Sequence, residues 1–311
     1  MDLKNIPESR TGIFLVLVTA VISGFSIFIN SIGVREFDSS IFTFAKTSAV
    51  ALLLFAVITG IGMLKEITAL KKEQWLQLAA IGLIGGSLPF LLFFQGLKMT
   101  AGATSGFIHK TIFVYVAIFA LLFLKEKATK GLLVGSMLLL FGNYFMIKPD
   151  FAFSIGHVYV LLAVILWAAE YTYSKHLLNE LSGSIVAFGR MFFGSVLIFA
   201  FLLAANKVSL IKGLTGVHYG WIGLTSLFLL MYTLTFYNGL KHVKVTTAAC
   251  ILSLGSPITT ILALVFKGMP VSLEQSIGMM FIASGIISVL YFSHIYGSMK
   301  NFFSVRGYGR H

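Results

Sequence analysis

The sequence predicts an all-α, polytopic membrane protein in which ten transmembrane helices form two inverted five-helix repeats. Hydrophobic residues make up 58% of the 311 residues and charged residues only 11%, whereas charged residues are about 25% of an ordinary soluble domain. Ten apolar stretches are long enough to cross a hydrocarbon core of about 30 Å. The two halves of the chain also resemble each other at a nearly constant offset, which predicts an internal repeat.

The ten stretches follow one another with short polar gaps, which leave no room for a soluble domain. Only the gap at 206–218 is long enough to lie along the membrane surface. The first stretch is too long for a secretory signal peptide and is interpreted as a membrane helix. The predicted helices span 11–33, 39–63, 75–97, 102–124, 130–148, 156–177, 183–205, 219–240, 245–266 and 272–294.

Basic residues are concentrated in alternate gaps, as the positive-inside rule requires of cytoplasmic loops. Examples are Lys71 and Lys72 before the third stretch and Lys125 and Lys127 after the fourth. The net charge of +12 is therefore interpreted as a topology signal rather than a nucleic-acid-binding surface. We expect a multi-pass protein of the cell membrane with both termini in the cytoplasm.

Several classes of site lack a sequence signal. Cys250 is the single cysteine and lies in an apolar run, which excludes an intrachain disulfide and a CxxC metal site. Walker A, HExxH and GxSxG sequences are absent, so ATP-driven transport and common hydrolase chemistry have no support. We therefore expect no cofactor, no metal and no enzymatic activity.

The internal repeat is carried by glycines and charges. An offset of 143 pairs the segment 94–98 (FQGLK) with 237–241 (YNGLK), and it aligns Gly135 with Gly278 and Gly142 with Gly285. An offset of 144 aligns pairs near the start of each half, namely Gly12 with Gly156, Phe44 with Phe188 and Lys46 with Arg190.

These matches predict a first repeat at 1–148, a second at 149–297 and a basic cytoplasmic tail at 298–311. Because five helices are an odd number, the second repeat must be inverted relative to the first. Inverted repeats are typical of alternating-access transporters, whose substrate lies near the midplane at the repeat interface.

The chain resembles the EamA-type members of the drug/metabolite transporter superfamily over nearly its whole length. Leu166-Trp167-Ala168 is similar to the opening of that family's second repeat, and Arg190 occupies a position where the family often has an arginine. Segment 254–257 (LGSP) resembles the family's Ser-Pro element, whereas segment 109–111 (HKT) departs from its usual apolar stretch with a proline. The resemblance implies export of amino acids or similar compounds through a cavity lined by helices 6 and 8.

Ionisable side chains at membrane depth are costly and are candidates for function. Glu170 and Arg190 are at similar depths near the cytoplasmic side, so we expect them to approach each other. Two interpretations remain open: a structural salt bridge, or a pair that acts in gating or proton coupling. Ser26 corresponds to Glu170 in the first repeat, so that repeat retains the cation, Lys46, without the acid.

Lys46, His109 and Lys110 are cations or potential cations in the predicted outer half, about 10 Å deep, and no carboxylate accompanies them. Such charges need an anion, carbonyls or water, so we hypothesise that they bind a substrate carboxylate or phosphate. Snorkelling is the alternative for Lys46. His109 could equally be a packing residue or a pH-sensitive group.

Aromatic residues and prolines complete the candidates. Trp167, Tyr171 and Tyr237 are predicted to line the cavity, with packing or lipid contact as the alternative. Pro89 and Pro257 interrupt predicted helices and free a carbonyl each, either as hinges or as static kinks.

Together these features predict a secondary active transporter that moves a small metabolite bearing a carboxylate, such as an amino acid, across the cytoplasmic membrane. Transport of a phosphorylated metabolite is the alternative within this class, and an intramembrane enzyme or a channel the alternative outside it. The expected partners are a small-molecule substrate and the lipid bilayer, with a coupling proton as a further candidate and no nucleic acid. The expected state is a monomer or a weak homodimer.

Overall fold

The computed structural model describes residues 9–33, 38–100, 102–150 and 154–307, with the side chains of Ser31, Gly33, Gly102 and 292–307 left out of the description. Every regular element in these ranges is helical. Ten helices are long and apolar enough to cross a membrane. The predicted all-α fold with ten transmembrane helices is therefore confirmed.

We number the membrane helices 1 to 10. Three of them are interrupted by short segments that are not α-helical, and the parts before and after each interruption are called a and b. The continuous helices are helix 1 (Arg10–Gly33), helix 2 (Ser39–Gly60), helix 5 (Lys130–Ile147), helix 6 (Ile155–Leu177), helix 7 (Gly183–Ala204), helix 8 (Gly216–Lys241) and helix 10 (Leu273–Gly307). The divided helices are helix 3 (3a, Lys72–Ile81; 3b, Leu88–Lys98), helix 4 (4a, Gly102–Lys110; 4b, Ile112–Phe123) and helix 9 (9a, Val245–Ile251; 9b, Gly255–Lys267).

The boundaries agree with the predicted spans to within a few residues, except at the C-terminal end of helix 10. Helix 10 continues to Gly307, so most of the segment predicted as a tail from 298 onward is helical. The gap at 206–218 contains a 3₁₀ helix, Val208–Gly213, and the 2–3 connection contains a short helix, Leu64–Thr68.

Helices 5 and 10 pack closely through four glycines. A Cβ atom on Gly135 would lie 2.7 Å from the carbonyl oxygen of Gly285, and one on Gly142 would lie 2.8 Å from that of Gly278. The contacts run in opposite directions along the two helices, which are therefore antiparallel. The 143-residue offset exchanges the two contacts, as a two-fold relation between inverted repeats requires.

The two repeats also exchange helices with each other. Helix 1 packs against helix 8 of the second repeat, and helix 6 packs against helix 3 of the first. A Cβ on Gly239 would lie 3.2 Å from the Gly12 carbonyl, and one on Gly96 would lie 2.6 Å from the Gly156 carbonyl. Gly12 and Gly156 are equivalent in the repeat, as are Gly96 and Gly239, so the two interfaces correspond.

Helices 4 and 9 are interrupted at corresponding positions. Helix 4a ends at Lys110, and after Thr111 helix 4b begins at Ile112. Helix 9 passes through a 3₁₀ turn, Leu252–Leu254, and resumes just before Pro257. Residue 111 corresponds to 254 in the repeat. Interrupted helices in matching positions of the two halves indicate the substrate site in inverted-repeat transporters.

Helix 3 contains a π-helical segment, Gly82–Ser87, followed by Pro89 in the first turn of helix 3b. At Gly86 this segment packs directly against the backbone of helix 7. A Cβ on Gly86 would lie 3.0 Å from the Cα of Gly194, and one on Gly194 would lie 2.8 Å from the carbonyl oxygen of Gly86. The close approach brings the backbone of helix 3 to the side chain of Arg190.

Candidate functional site

Glu170 on helix 6 and Arg190 on helix 7 form a buried ion pair. The distance from Oε2 of Glu170 to Nε of Arg190 is 3.8 Å, and the two side chains are 0% and 5% exposed. The other carboxylate oxygen, Oε1, accepts hydrogen bonds from the hydroxyls of Ser174 at 2.5 Å and Tyr237 at 2.7 Å. By contrast, Oε2 of Glu170 and Nε of Arg190 are buried without a hydrogen-bond partner.

The carbonyl of Gly85 connects this pair to helix 3. It accepts hydrogen bonds from Nη2 of Arg190 and from Nε1 of Trp167, both at 3.1 Å. Pro89 lies four residues later and has no N–H to donate to this carbonyl. The proline therefore leaves free the acceptor that holds both side chains.

Gly85 itself must lack a side chain because Glu170 occupies the adjacent space. A Cβ on Gly85 would lie 2.9 Å from the carboxyl carbon of Glu170 and 3.1 Å from Nε of Arg190. The glycine-rich π segment thus provides both the carbonyl that accepts these hydrogen bonds and the space that the ion pair occupies. A π-helical turn in a membrane helix is frequently located at a functional site.

Three tyrosines surround the ion pair on its helix 8 side. Tyr237 is fully buried and donates to Glu170. The hydroxyls of Tyr171 and Tyr232 are 3.1 Å apart, and the ring of Phe236 contacts both, with centroid distances of 4.7 and 5.7 Å. In this conformation Tyr237 positions the carboxylate, while Tyr171 belongs to the adjoining aromatic wall.

Trp167 extends this cluster to the interruption in helix 4. Its ring contacts His109 at 5.4 Å and Phe93 at 5.4 Å between centroids, and His109 and Phe93 are 5.3 Å apart. His109 is the penultimate residue of helix 4a. Contacts therefore run without a gap from the broken helix 4 through Trp167 and Gly85 to Arg190 and Glu170.

The two lysines of the predicted outer half are arranged differently. The Nζ atom of Lys46 lies 5.5 Å from the ring centroid of Phe42 on its own helix, and the backbone carbonyl of Lys46 accepts from Ser226 on helix 8 at 3.5 Å. Lys110 follows His109 directly and is half-buried, as is Lys46. Neither ammonium has a carboxylate within ion-pair distance in the described part of the chain.

Pro257 lies near helix 1 rather than near the ion pair. It is buried in the first turn of helix 9b. The neighbouring Thr259 hydroxyl donates to the carbonyl of Gly24 at 3.0 Å, and a Cβ on Gly24 would lie 2.6 Å from Cβ of Ile258. The start of helix 9b is therefore packed tightly against helix 1.

Sequence reasoning predicted both charged members of this cluster but missed Ser174 and Gly85, and outside the cluster it missed Glu126. Ser174 lies one helical turn after Glu170 and could have been found from that spacing. Gly85 stands in a glycine-rich stretch before Pro89, but only the fold shows what its carbonyl binds. Glu126 was overlooked because it lies among the lysines of the 4–5 loop, where its acidic side chain is the exception.

The described residues contain no group of three or more His, Cys, Asp or Glu side chains that could hold a metal ion. The chemical groups present at the site are a buried acid, a buried guanidinium and tyrosine hydroxyls. Such a set can bind an anionic group, and its carboxylate can hold a proton.

Comparison with known proteins gives a consistent result. The model of the EamA-like transporter family matches residues 10–148 and again 154–291. A Sinorhizobium sp. protein described as an uncharacterized transporter in the cobO 3′ region is 29% identical over 119 residues, which cover 38% of this chain and 84% of that protein. An uncharacterized transporter of Archaeoglobus fulgidus is 25% identical over 157 residues, which cover 50% of this chain and 54% of that protein.

A solved crystal structure supports the same fold. It superposes with a TM-score of 0.75 and 16% sequence identity, and the match covers 91% of this chain and 99% of the other. At this identity the likeness concerns the fold alone. The two family matches together cover almost all of the ten helices, so the chain belongs to the EamA-like transporter family within the drug/metabolite transporter superfamily.

Proposed function

We propose that this membrane transporter is a secondary active carrier that moves a small metabolite bearing a carboxylate, such as an amino acid, by alternating access. The observation that carries the proposal is the buried pair of Glu170 and Arg190, whose facing atoms lack hydrogen bonds. Unsatisfied buried charges are unfavourable. Because no hydrogen bond joins the two charges, Arg190 is suited to exchange Glu170 for an anionic group of the substrate.

The exchange assigns a role to each charged group. Lys46 and Lys110 attract the substrate carboxylate to the cavity, and the carboxylate then reaches Arg190 in place of Glu170. A proton transferred to Oε2 of Glu170 balances the charge that the incoming anion brings. The hydroxyls of Ser174 and Tyr237 remain on Oε1, so the acid keeps its position when it is released from Arg190.

The contacts of Trp167 support a coupling to helix movement. Trp167 contacts His109 beside the interruption in helix 4 and shares the Gly85 carbonyl with Arg190. A change at Arg190 therefore has a direct route to the broken helix. Rocking of helices at such interruptions is the usual means of alternating access in inverted-repeat transporters.

A phosphorylated metabolite is the second candidate substrate. The two lysines of the outer half favour it, because together they could match the charge of a phosphate. An intramembrane enzyme is disfavoured, because the family and the relatives point to a transporter. A channel would present rings of like polar groups, whereas the charges here are single residues on different helices.

Transport in proteoliposomes tests the proposal. Purified protein is screened for thermal stabilisation by amino acids, organic acids and sugar phosphates, and each hit is measured for uptake and counterflow. Lys46→Ala and Lys110→Ala should each reduce uptake of an anionic substrate about tenfold or more, since a hydrogen bond to a charged group contributes about 1.5–3 kcal/mol.

Lys212→Ala is the matched control, because Lys212 is an exposed lysine outside the membrane helices. Full activity of both cavity variants with an anionic substrate would refute the proposed anion site. Absence of stimulation by unlabelled substrate on the opposite side would refute a carrier mechanism and favour a channel.

A further inference from the structure

Glu126 is a buried acid that the proposed transport step does not use. It lies in the loop between helices 4 and 5 and is 7% exposed. Its Oε1 accepts from the backbone N–H of Val245 at 3.0 Å, and its Oε2 accepts from the Thr246 hydroxyl at 2.7 Å. Both oxygens thus hold the first turn of helix 9.

A second cross-connection lies beside it. Nζ of Lys175, near the end of helix 6, is 3% exposed and donates to the carbonyls of Leu240 at 2.8 Å and Lys241 at 3.1 Å, at the end of helix 8. Nζ of Lys241 in turn donates to the carbonyl of Leu181 at 3.1 Å. The ends of helices 6 and 8 are therefore joined at the same face of the molecule as Glu126.

Glu126 also interacts with the charges of two lysines on other elements. Lys244, just before helix 9, and Lys175, on helix 6, both act electrostatically on the carboxylate. Burial raises the pKa of Glu126, and the hydrogen bonds from Thr246 and Val245 and the two lysines oppose that rise. The carboxyl group is thus desolvated and held by specific partners on two other elements.

The corresponding position on the opposite face has no such group. The 143-residue offset takes Glu126 to Met269, which is 57% exposed, and takes Val245 and Thr246 to Gly102 and Ala103. A thioether cannot accept hydrogen bonds from a helix terminus as a carboxylate does. Among the described residues of that face, the start of helix 4 is held by a different contact, in which the Thr104 hydroxyl donates to Oδ1 of Asp150 at 2.7 Å.

Ionisable side chains are also more buried at the end of the molecule that has the Glu126 connection. Glu170, Lys175 and Glu126 are buried at the end that carries the connection, whereas Lys46, His109 and Lys110 are only half-buried toward the other. The first three charged side chains are therefore more deeply buried toward the face that the lysine distribution predicts to be cytoplasmic.

We propose that Glu126 is a positioning residue of the transport cycle, a latch that joins the 4–5 loop to helix 9 and keeps the cytoplasmic gate closed in the resting state. Opening toward the cytoplasm breaks the bonds to Val245 and Thr246. This inference depends on the alternating-access mechanism proposed above.

The lone cysteine reports on the latch without any substrate. Cys250 lies four residues after Thr246 on helix 9a and is 1% exposed. The rate of its reaction with a membrane-impermeant maleimide is measured in vesicles of both orientations. Glu126→Ala should raise the rate about fivefold or more from the cytoplasmic side only, because it removes both hydrogen bonds to the start of helix 9.

Two further variants separate the latch from a loss of folding. Glu126→Gln retains an acceptor for Val245 and a donor for the Thr246 hydroxyl, so its labelling rate should remain near that of the native protein. Thr246→Val keeps the carboxylate and removes one bond, so its rate should be intermediate. Glu66→Ala, at an exposed acid in the 2–3 connection, is the control and should leave the rate unchanged.

A labelling rate for Glu126→Ala equal to that of the control would overturn the latch, as would equal acceleration from both sides of the membrane. Hydrogen exchange of the peptide that contains Val245 provides an independent readout, with faster exchange expected in Glu126→Ala. Since neither measurement uses substrate, loss of the latch is distinguishable from failure of the anion-transport proposal, which the uptake assays test.

Discussion

Oε2 of Glu170 and Nε of Arg190 face each other at 3.8 Å between helices 6 and 7, and neither atom has a hydrogen bond. Oε1 of the carboxylate and Nη2 of the guanidinium make normal hydrogen bonds, with Ser174 and Tyr237 on one side and with the Gly85 carbonyl on the other. The interaction that joins the two charges is therefore the least complete part of the cluster.

Glu170→Gln and Arg190→Met should each destabilise the protein, because each leaves a buried charge or its polar partners uncompensated. Removal of one partner of a buried ion pair costs about 3–5 kcal/mol. The double variant should recover much of this loss, since no unpaired charge remains. Thermal unfolding in detergent measures the cycle, and additive effects of the two substitutions would contradict the pairing.

Gly85→Ala should lower stability by about 1–3 kcal/mol through overpacking, because the new methyl group would enter the space of the Glu170 side chain. The matched control is Gly223→Ala on helix 8, where a Cβ meets nothing within 4 Å. Thermal unfolding of both variants checks the prediction. Equal stability of the two would show that the π segment can move away from helix 6.

Pro89→Ala should weaken the anchoring of Trp167, because alanine restores an N–H that competes for the Gly85 carbonyl. In a background with Trp75 and Trp221 replaced by phenylalanine, the emission of Trp167 should shift in this variant. Pro257→Ala on helix 9 is the control and should leave the emission unchanged. An unchanged spectrum in Pro89→Ala would indicate that the proline is a static kink only.

Asp38 should make the stability depend on pH at the other face of the molecule. Its carboxylate caps helix 2 and pairs with Lys207 at 2.8 Å. Burial opposes ionisation, but the hydrogen bonds from Lys207, Ser40 and Ile41 outweigh it and hold the pKa of Asp38 well below its usual value. A carboxyl whose pKa is lowered by folding contributes stability above its unfolded pKa of about 3.9 and loses it as the pH falls further.

The measurement compares melting temperatures from pH 6 to pH 3. The melting temperature of the native protein should exceed that of Asp38→Asn at pH 6, and the difference between the two should shrink as the pH falls below about 4. Asp38→Ser retains a side-chain helix cap but cannot pair with Lys207, so it separates the cap from the ion pair. A difference that stays constant with pH would exclude the carboxylate as its source.

The internal repeat was predictable because it consists of matching residues at a constant spacing along the chain. Gly135, Gly142, Gly278 and Gly285 align without gaps, and the structure brings them together between helices 5 and 10. The approach of Glu170 to Arg190 was predicted from depth alone. The boundaries of the two repeats as independent units, the orientation in the membrane and the oligomeric state remain predictions.

Other parts of the site depend on which helices are neighbours. The sequence predicted that Pro89 frees a carbonyl, but the donors to that carbonyl of Gly85 are Trp167 and Arg190, 82 and 105 residues later in the chain. Lys46, His109 and Lys110 were predicted to bind a substrate carboxylate or phosphate. The contacts of His109 lead to Trp167, whereas those of Lys46 lead to Phe42 and Ser226.

By itself the sequence determined the ten apolar helices, the two repeats and the short set of charges at membrane depth, because hydropathy and residue spacing depend only on the order of residues along the chain. Only the tertiary structure decided the partners of those charges, and it alone revealed Glu126. A buried hydrogen bond joins residues through space. The carboxylate of Glu126 and the helix terminus at Val245 are 119 residues apart in sequence and 3.0 Å apart in the fold.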